Sequence, residues 1–367
     1  MNNSVKDLLL TPVKLGDLQL RNRIVMSPMT RTRATLAHVP TELMVEHYVQ
    51  RASAGLIITE CTMVSGTASA FITDPGIYND AQLAQWRKVT DAVHAAGGLI
   101  AMQIWHPGRA THPYNNDGVE SVSSTDRAIR DDGINTLAGK VPQSKPRRLR
   151  IDELPGIVAQ FRKAAENAKR AGFDAVQIHG AHGYLLDQFL RDSVNDRSDA
   201  YGGGIANRAR LLFEVIDAAI EVYGAGRVGV RISPLVPYND VSDSDPAGVV
   251  RYVAEQFEKR RGGLFELRHN QHTDPAELEL AGIARNILTV PLLLNGGYTR
   301  ESGEADVASG LADAVVYGKP YIANPDLVER FRLRAPLNDV DFSKLYAGGA
   351  SGYTDYARLA ENSHEHA

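Results

Sequence analysis

Eight short, mostly apolar runs recur along the chain, at 23–26, 56–59, 99–104, 175–178, 228–232, 264–267, 291–294 and 314–317. They are apolar on successive residues rather than on alternate ones, which predicts strands buried on both faces, as in a parallel sheet. Between them lie longer stretches with apolar positions three and four apart. Those predict helices at 40–53, 80–96, 154–171, 206–223, 246–261, 275–288, 300–309 and 325–334. Eight strand-then-helix units predict an α/β fold, the closed TIM (β/α)8 barrel, with its site at the C-terminal ends of the strands. Residues 13–15 and 18–20 read as an N-terminal β-hairpin turning at Gly16-Asp17, placed to close the barrel's bottom. Thr41 stands as the cap of the first helix and Gly55 ends the turn after it. The polar stretch 107–150, inserted after the third strand, is too long for a simple connection, and loops of that length are commonly functional lids. No internal repeat or low-complexity linker interrupts the pattern, so 1–367 reads as one barrel domain carrying an insertion.

Composition narrows the function classes. With 367 residues, 43% hydrophobic and 23% charged, the chain has a sizeable core and not a disordered profile. A net charge of −4 without a long block of one sign argues against a nucleic acid or an anionic membrane as partner. Cys61 is the only cysteine, which excludes an intrachain disulfide and a cysteine-based zinc cluster. Residues 1–10 carry three leucines in a row but neither a basic leader nor a long apolar core, so no signal peptide is expected. No segment approaches the length of a membrane span. The expectation is a soluble cytoplasmic protein, monomer or homodimer.

Candidate chemistry gathers where the strands stop. The fourth strand runs into Ile178-His179-Gly180-Ala181-His182-Gly183-Tyr184. Residues three apart on an extended strand point to opposite faces, so the two imidazoles reach one ligand only if the backbone turns between them. Gly180 and Gly183 offer that freedom. Tyr184 adds a hydroxyl that stays protonated at neutral pH. Two imidazoles and a phenol at a strand end suit gripping a polar oxygen and delivering a proton. Ser27, Pro28, Met29 and Thr30 follow the first strand, and Glu60, Cys61 and Thr62 the second. Gln103 and Trp105 share one face of the third strand. Arg231 lies on the fifth, Asn295-Gly296-Gly297 follow the seventh, and Gly318-Lys319 the eighth. The glycines after the last two strands, with a helix beginning near Asn324-Pro325, match a phosphate site, where backbone amides and a helix N-terminus favour an anion. Taken singly, each glycine also suits a tight turn.

Further motifs fall in order around this stretch: Leu10-Thr11-Pro12, Asn22-Arg23, Met26-Ser27-Pro28-Met29-Thr30-Arg31, Gln50-Arg51-Ala52-Ser53-Ala54-Gly55-Leu56-Ile57, Gln103-Ile104-Trp105-His106, Asp199-Ala200-Tyr201-Gly202-Gly203 and Tyr321-Ile322-Ala323-Asn324-Pro325-Asp326-Leu327. With them the chain resembles the Old Yellow Enzyme family of flavin-dependent ene-reductases over nearly its whole length. The resemblance implies FMN as cofactor, NADPH or NADH as transient co-substrate, and activated alkenes such as α,β-unsaturated carbonyl compounds as substrates. It implies that Gln103 pairs with the flavin's pyrimidine edge and Thr30 bonds the carbonyl near its reactive nitrogen. Ser27, Pro28 and Met29 would line its face, and Cys61 would sit beside it as a small buried residue. Arg231 would face the side where negative charge gathers on reduction, a placement that tunes a flavin's potential. Asn295, Gly296, Gly297, Gly318 and Lys319 would hold its phosphate end. His179 and His182 would bond the substrate carbonyl while hydride reaches the β-carbon, and Tyr184 would protonate the α-carbon. Trp105, Phe71 and Tyr353 are placed as walls of the substrate pocket, though each also suits ordinary packing. No glycine fingerprint of a dinucleotide fold lies between a strand and a helix; Gly202-Gly203-Gly204 follows a helix. Donor and substrate would therefore visit the same flavin face in turn, giving ping-pong kinetics.

Three departures from the family pattern stand out. Lys319 replaces a frequent arginine, leaving a point charge without a bidentate fork and implying a weaker hold on the phosphate. Phe71 replaces a frequent tyrosine, and 269–287 is short. The rival reading is a metal-dependent hydrolase or aldolase barrel with His179 and His182 as ligands; it needs a third ligand such as Glu60 and predicts a colourless protein. A flavin barrel without turnover is a further alternative. A flavin barrel with an iron–sulfur cluster is excluded by the lone cysteine.

Overall fold

In the computed structural model, which describes residues 7–346 and 348–359, the apolar runs close on themselves. The barrel strands are β1 (Ile24–Met26), β2 (Leu56–Ile58), β3 (Ile100–Trp105), β4 (Ala175–Gly180), β5 (Val228–Ile232), β6 (Leu264–Arg268), β7 (Leu292–Asn295) and β8 (Ala314–Tyr317). Each pairs in parallel with the next, and β8 returns to β1 through Val315 opposite Ile24 and Tyr317 opposite Met26. Closure leaves no open edge on these strands, and both faces are covered, which is why the runs need not alternate. A short extra strand, Thr62–Met63, pairs with the end of β3.

The main helices are α1 (Glu42–Gln50), α2 (Asp80–Ala95), α3 (Leu154–Arg170), α4 (Arg210–Tyr223), α5 (Pro246–Arg260), α6 (Pro275–Ile287), α7 (Arg300–Ala308) and α8 (Leu327–Leu333). Their apolar faces meet the outward side chains of the strands in one large core, including Trp86, Phe161, Phe189, Phe257 and Phe331. Local chemistry explains several boundaries. Asn79 and Gln82 form a reciprocal capping box at the start of α2. Pro246 and Pro275 open α5 and α6 beside capping Asp245 and Asp274. Thr41 precedes α1 but does not cap it; its hydroxyl donates to the Arg33 carbonyl instead.

A second, smaller core fills the barrel's lower end. Leu15, Leu18 and Leu20 of the N-terminal hairpin pack there against Val25, Leu56, Ile58, Leu293 and Val316. The hairpin pairs Val13–Leu15 with Leu18–Leu20, and the Asp17 amide donates to the Gly226 carbonyl at 2.9 Å. The bottom is thus plugged, and polar inward residues collect at the opposite end. The 107–150 insertion contains an antiparallel pair, Ile134–Thr136 with Gly139–Val141, and a parallel pair, Val122–Ser123 with Arg147–Arg148. Among the described residues no helix is long and apolar enough to cross a membrane. The reading of 1–10 as free of a leader rests partly on residues outside those described.

Candidate active site

The barrel interior above the plug is crossed by one chain of polar contacts. Cys61 Sγ donates to Gln103 Oε1 (3.1 Å), Gln103 Nε2 to Gln177 Oε1 (2.7 Å), and Gln177 Nε2 to Glu266 Oε2 (2.7 Å). Glu266 Oε1 lies 2.9 Å from Arg231 Nε, Arg231 Nη2 reaches the Ser27 hydroxyl at 3.5 Å, and Asn295 Nδ2 donates to that same hydroxyl at 3.0 Å. Register explains the continuity: Gln103 is opposite Gln177, His179 opposite Arg231, and Arg231 opposite Glu266. A charge this deep is tolerable only when paired. Glu266 and Gln177 were not among the residues singled out from the sequence. The available signal was a carboxylate in the middle of a buried apolar strand.

His179 and His182 converge as their spacing requires, but the turn is made differently from expectation. Gly180 stays extended within β4, where a Cβ would meet Leu212 at 3.1 Å. The turn falls on His182 itself (φ 57°) and Gly183 (φ 70°), the latter packed so closely that a Cβ would lie 2.3 Å from the Tyr238 carbonyl. His182 is held there by its amide on Ser233 Oγ (2.8 Å) and by Asn239 Nδ2 on its carbonyl (2.7 Å). The two imidazole rings are 5.4 Å apart, and Tyr184 lies 5.3 Å from His179. His179 Nδ1 and His182 Nε2 are buried with no hydrogen-bond partner. Burial, reinforced by the Arg231 charge, drives both imidazoles well below their ordinary pKa, so both are neutral. Burial pushes the Tyr184 phenol upward, keeping it protonated. The Cys61 thiol is pushed up to about 12 by burial, which removes it as a nucleophile.

Two adjoining cavities open above this floor. One, of about 480 Å³, is lined by Ser27, Pro28, Met29, Thr30, His182, Arg231, Arg268, Asn295, Gly296, Gly297, Gly318 and Lys319, among others. At its β7–β8 side Gly296 (φ 138°) and Gly297 (φ 73°) take conformations that side chains disfavour, and a Cβ on Gly296 would lie 2.5 Å from the His269 carbonyl. The helix expected near Asn324-Pro325 forms as α8, and a shorter one, Lys319–Ala323, precedes it directly after Gly318; Pro320 at its first turn was the overlooked signal. The other cavity, about 550 Å³, is lined by Phe71, Tyr184, Asn239 and Tyr346, with Ile134, Asn135 and Gln143 of the insertion.

Of the three aromatic residues expected as pocket walls, Phe71 lines a cavity while Trp105 and Tyr353 do not. Phe71 lines the second cavity and lies 6.1 Å from Tyr346 and 6.3 Å from Trp105. Trp105 is fully buried, edge-on to Tyr184 at 5.1 Å, so it backs the wall rather than facing the space. Tyr353 does not line either cavity: it is buried, stacked on His47 at 4.0 Å, with the Arg31 and Arg33 guanidiniums against its ring. The C-terminal aromatic that reaches the site is Tyr346. It is set by Arg33 and Arg31, which donate to the Leu345 carbonyl at 2.6 and 3.2 Å.

Glu60 lies beneath that clamp. Its carboxylate accepts from the Arg31 amide (3.1 Å) and the Tyr48 hydroxyl (3.3 Å), yet burial still raises its pKa to about 7. A folded-state pKa above the unfolded one means the native state binds the proton more tightly. Stability from Glu60 is therefore fullest below the unfolded carboxylate pKa and is lost as pH rises through about 7. Glu60→Gln, which cannot ionise, is expected to flatten that fall between about pH 5 and about pH 8, and to melt higher than wild type at the upper end. Thermal midpoints across the range check it. Engaged this way, Glu60 is not free to be the third ligand of a metal centre. Among the described residues no group of three or more His, Cys, Asp or Glu is placed to hold a metal ion.

A parallel barrel plugged at one end, with a glycine-lined cavity and two neutral imidazoles at the other, has the architecture of a barrel enzyme whose site lies at the C-terminal ends of its strands. The sequence profile of the NADH:flavin oxidoreductase / NADH oxidase family matches residues 8–338. The chain is 45% identical over 365 residues to the putative 12-oxophytodienoate reductase 4 of Oryza sativa subsp. japonica, covering 96% of this chain and 93% of that protein. It is 44% identical over 355 residues to a probable flavin mononucleotide-dependent alkene reductase of Leishmania infantum, covering 95% and 97%. Among solved structures, morphinone reductase in complex with tetrahydroNAD superposes with a TM-score of 0.93 at 42% identity, over 98% of this chain and 99% of the other. The Old Yellow Enzyme homologue from Zymomonas mobilis gives 0.92 at 41% identity, over 95% and 99%. The chain belongs to this family, that of Old Yellow Enzyme, and is a flavin-dependent ene-reductase.

Proposed function

We propose that the 480 Å³ cavity holds FMN and that the enzyme reduces the C=C bond of α,β-unsaturated carbonyl compounds and similarly activated alkenes. The residues fit that group. Gly296, Gly297, Gly318 and Lys319 would hold its phosphate, with Asn295 beneath; Gln103 and Arg231 would meet the polar edge of the ring. Thr30 would bond its carbonyl, Ser27, Pro28 and Met29 would underlie it, and Cys61 would pack at its side. The buried, unpartnered nitrogens of His179 and His182 support a ligand at this point, because buried donors are nearly always bonded. When bound, FMN supplies a hydride taken from NADPH or NADH.

The observation that carries the reading is the cluster of two neutral imidazoles and a protonated phenol. His179 lies 5.4 Å from His182 and 5.3 Å from Tyr184, and the latter two each line one of the adjoining cavities. Neutral rings donate N–H bonds to a carbonyl oxygen without giving up a proton. Donors fixed in a water-poor site stabilise charge developing on that oxygen far better than water does. Tyr184 delivers the proton to the α-carbon. Phe71, Tyr346 and the insertion limit water above it. Nicotinamide donor and alkene share the space and so alternate, which gives ping-pong kinetics.

Anaerobic stopped-flow measurements test this in two halves. A nicotinamide donor should bleach the bound flavin, and a cyclic enone should restore the colour. Tyr184→Phe is expected to bleach normally and to recolour roughly 10²–10⁴-fold more slowly, the usual contribution of a general acid. Recolouring at the wild-type rate would remove Tyr184 from the mechanism.

A further inference from the structure

Arg231 is the cation that the family resemblance sets beside the flavin, yet its charge is already balanced. Glu266 lies 2.9 Å from it, both are buried, and the two are register neighbours on β5 and β6. The pair carries no net charge, although its Arg231 end still acts on both imidazoles. Two residues along β6, on the same inward face, stands Arg268. It lines the same cavity as Arg231 and His182. Among the described residues it has no ion-pair partner and no side-chain hydrogen bond, and its Nη1 is buried without an acceptor.

The nearby acids are engaged elsewhere. Glu266 serves Arg231 and Gln177, while Glu277 accepts from the Asn270 amide (2.8 Å) and faces His269 Nδ1 (2.8 Å). His179 and His182 are neutral, and Lys319 lies against Phe342 at the anion cradle. Arg268 is therefore the cation at the histidine end of the cavity without a direct partner, with Tyr238, Glu266 and Glu277 acting on it only from beyond ion-pair distance. Burial, and after it the Arg231 charge, weakens its hold on the proton. A guanidinium left this way is costly unless a ligand completes it.

We propose that Arg268 supplies the net positive charge that stabilises the reduced flavin, while the Arg231–Glu266 pair acts as a neutral, hydrogen-bonding floor. The proposal rests on FMN occupying this cavity as read above. It assigns to β6 a tuning role that the family resemblance gives to Arg231 of β5, and it makes the flavin's potential depend on residue 268.

The test compares FMN-loaded wild type, Arg268→Gln and Arg268→Lys by anaerobic equilibration with a reference dye, alongside FMN binding measured by fluorescence. Arg268→Gln is expected to lower the flavin midpoint by at least about 30 mV, a tenfold fall in the two-electron equilibrium constant. Arg268→Lys, which keeps the charge, should stay close to wild type. Neither variant should melt lower, because no bond within the chain is lost. An unmoved midpoint in Arg268→Gln overturns the proposal, as does a loss of FMN affinity that is equal in both oxidation states. A wild type that binds no FMN at all overturns the functional reading itself, so the two failures are distinguishable.

Discussion

Replacing His179 and His182 together by alanine is expected to abolish the long-wavelength absorption band that a substituted phenol induces, while leaving the protein yellow. The band requires a phenolate stacked on the flavin, and these two rings are the donors placed to grip its oxygen. They sit 5.4 Å apart around a turn that the backbone holds from both sides. Both are neutral through burial and the neighbouring Arg231 charge, so each offers an N–H rather than a full cation. Removing one donor of this kind typically costs roughly 10²–10³ in turnover, and the pair acts on one oxygen, so the double variant should lose at least that much. Reduction of the flavin by the nicotinamide donor should suffer less, because no carbonyl oxygen gathers charge in that half. FMN content, the phenol titration and enone turnover measured on one preparation decide it. A double variant that keeps the phenol band would move the oxygen-binding site elsewhere.

Glu266→Ala is expected to be among the most destabilising single changes in the barrel, costing about 3–5 kcal/mol. It would leave Arg231, 4% exposed, as an uncompensated charge, and would take from Gln177 the acceptor of its 2.7 Å bond. The magnitude belongs to the broken pair and not to the pair's own worth, since desolvation offsets most of what the ions gain from each other. Arg231→Met with Glu266→Leu should accordingly recover most of the loss, which makes the two sites strongly non-additive. Denaturant midpoints at unchanged slope measure both effects. A single-variant cost under about 1 kcal/mol would mean that water reaches Arg231 and that the floor is wetter than its burial indicates.

Much of the fold was legible before any coordinates. Strands β5 and β8 begin and end at the residues their apolar runs predict, and most other elements agree to within a residue or two. Such agreement is natural for strands buried on both faces, where burial itself writes the pattern. The misses share a different cause. The hairpin inside the insertion, with Gly139 and Lys140 in one strand, has no apolar face to announce it. Tyr346 and Tyr353 sit seven residues apart in one polar segment, and no local feature tells which faces the site. Arg31, Arg33 and His47 decide that from far away in the chain.

The order of strands and helices, the plugged lower end and the polar residues gathered past the strand ends all follow from the amino-acid sequence alone, because periodicity and turn chemistry act over a few residues. Which groups then face one another was decided only by closure of the barrel. Ser27 meets Asn295 across 268 positions of sequence, Gln177 meets Glu266 across 89, and Arg231 finds its counter-ion on the adjoining strand. Those pairings are set by strand register, a property of the whole closed sheet, and they leave Arg231 neutralised and Arg268 unpaired.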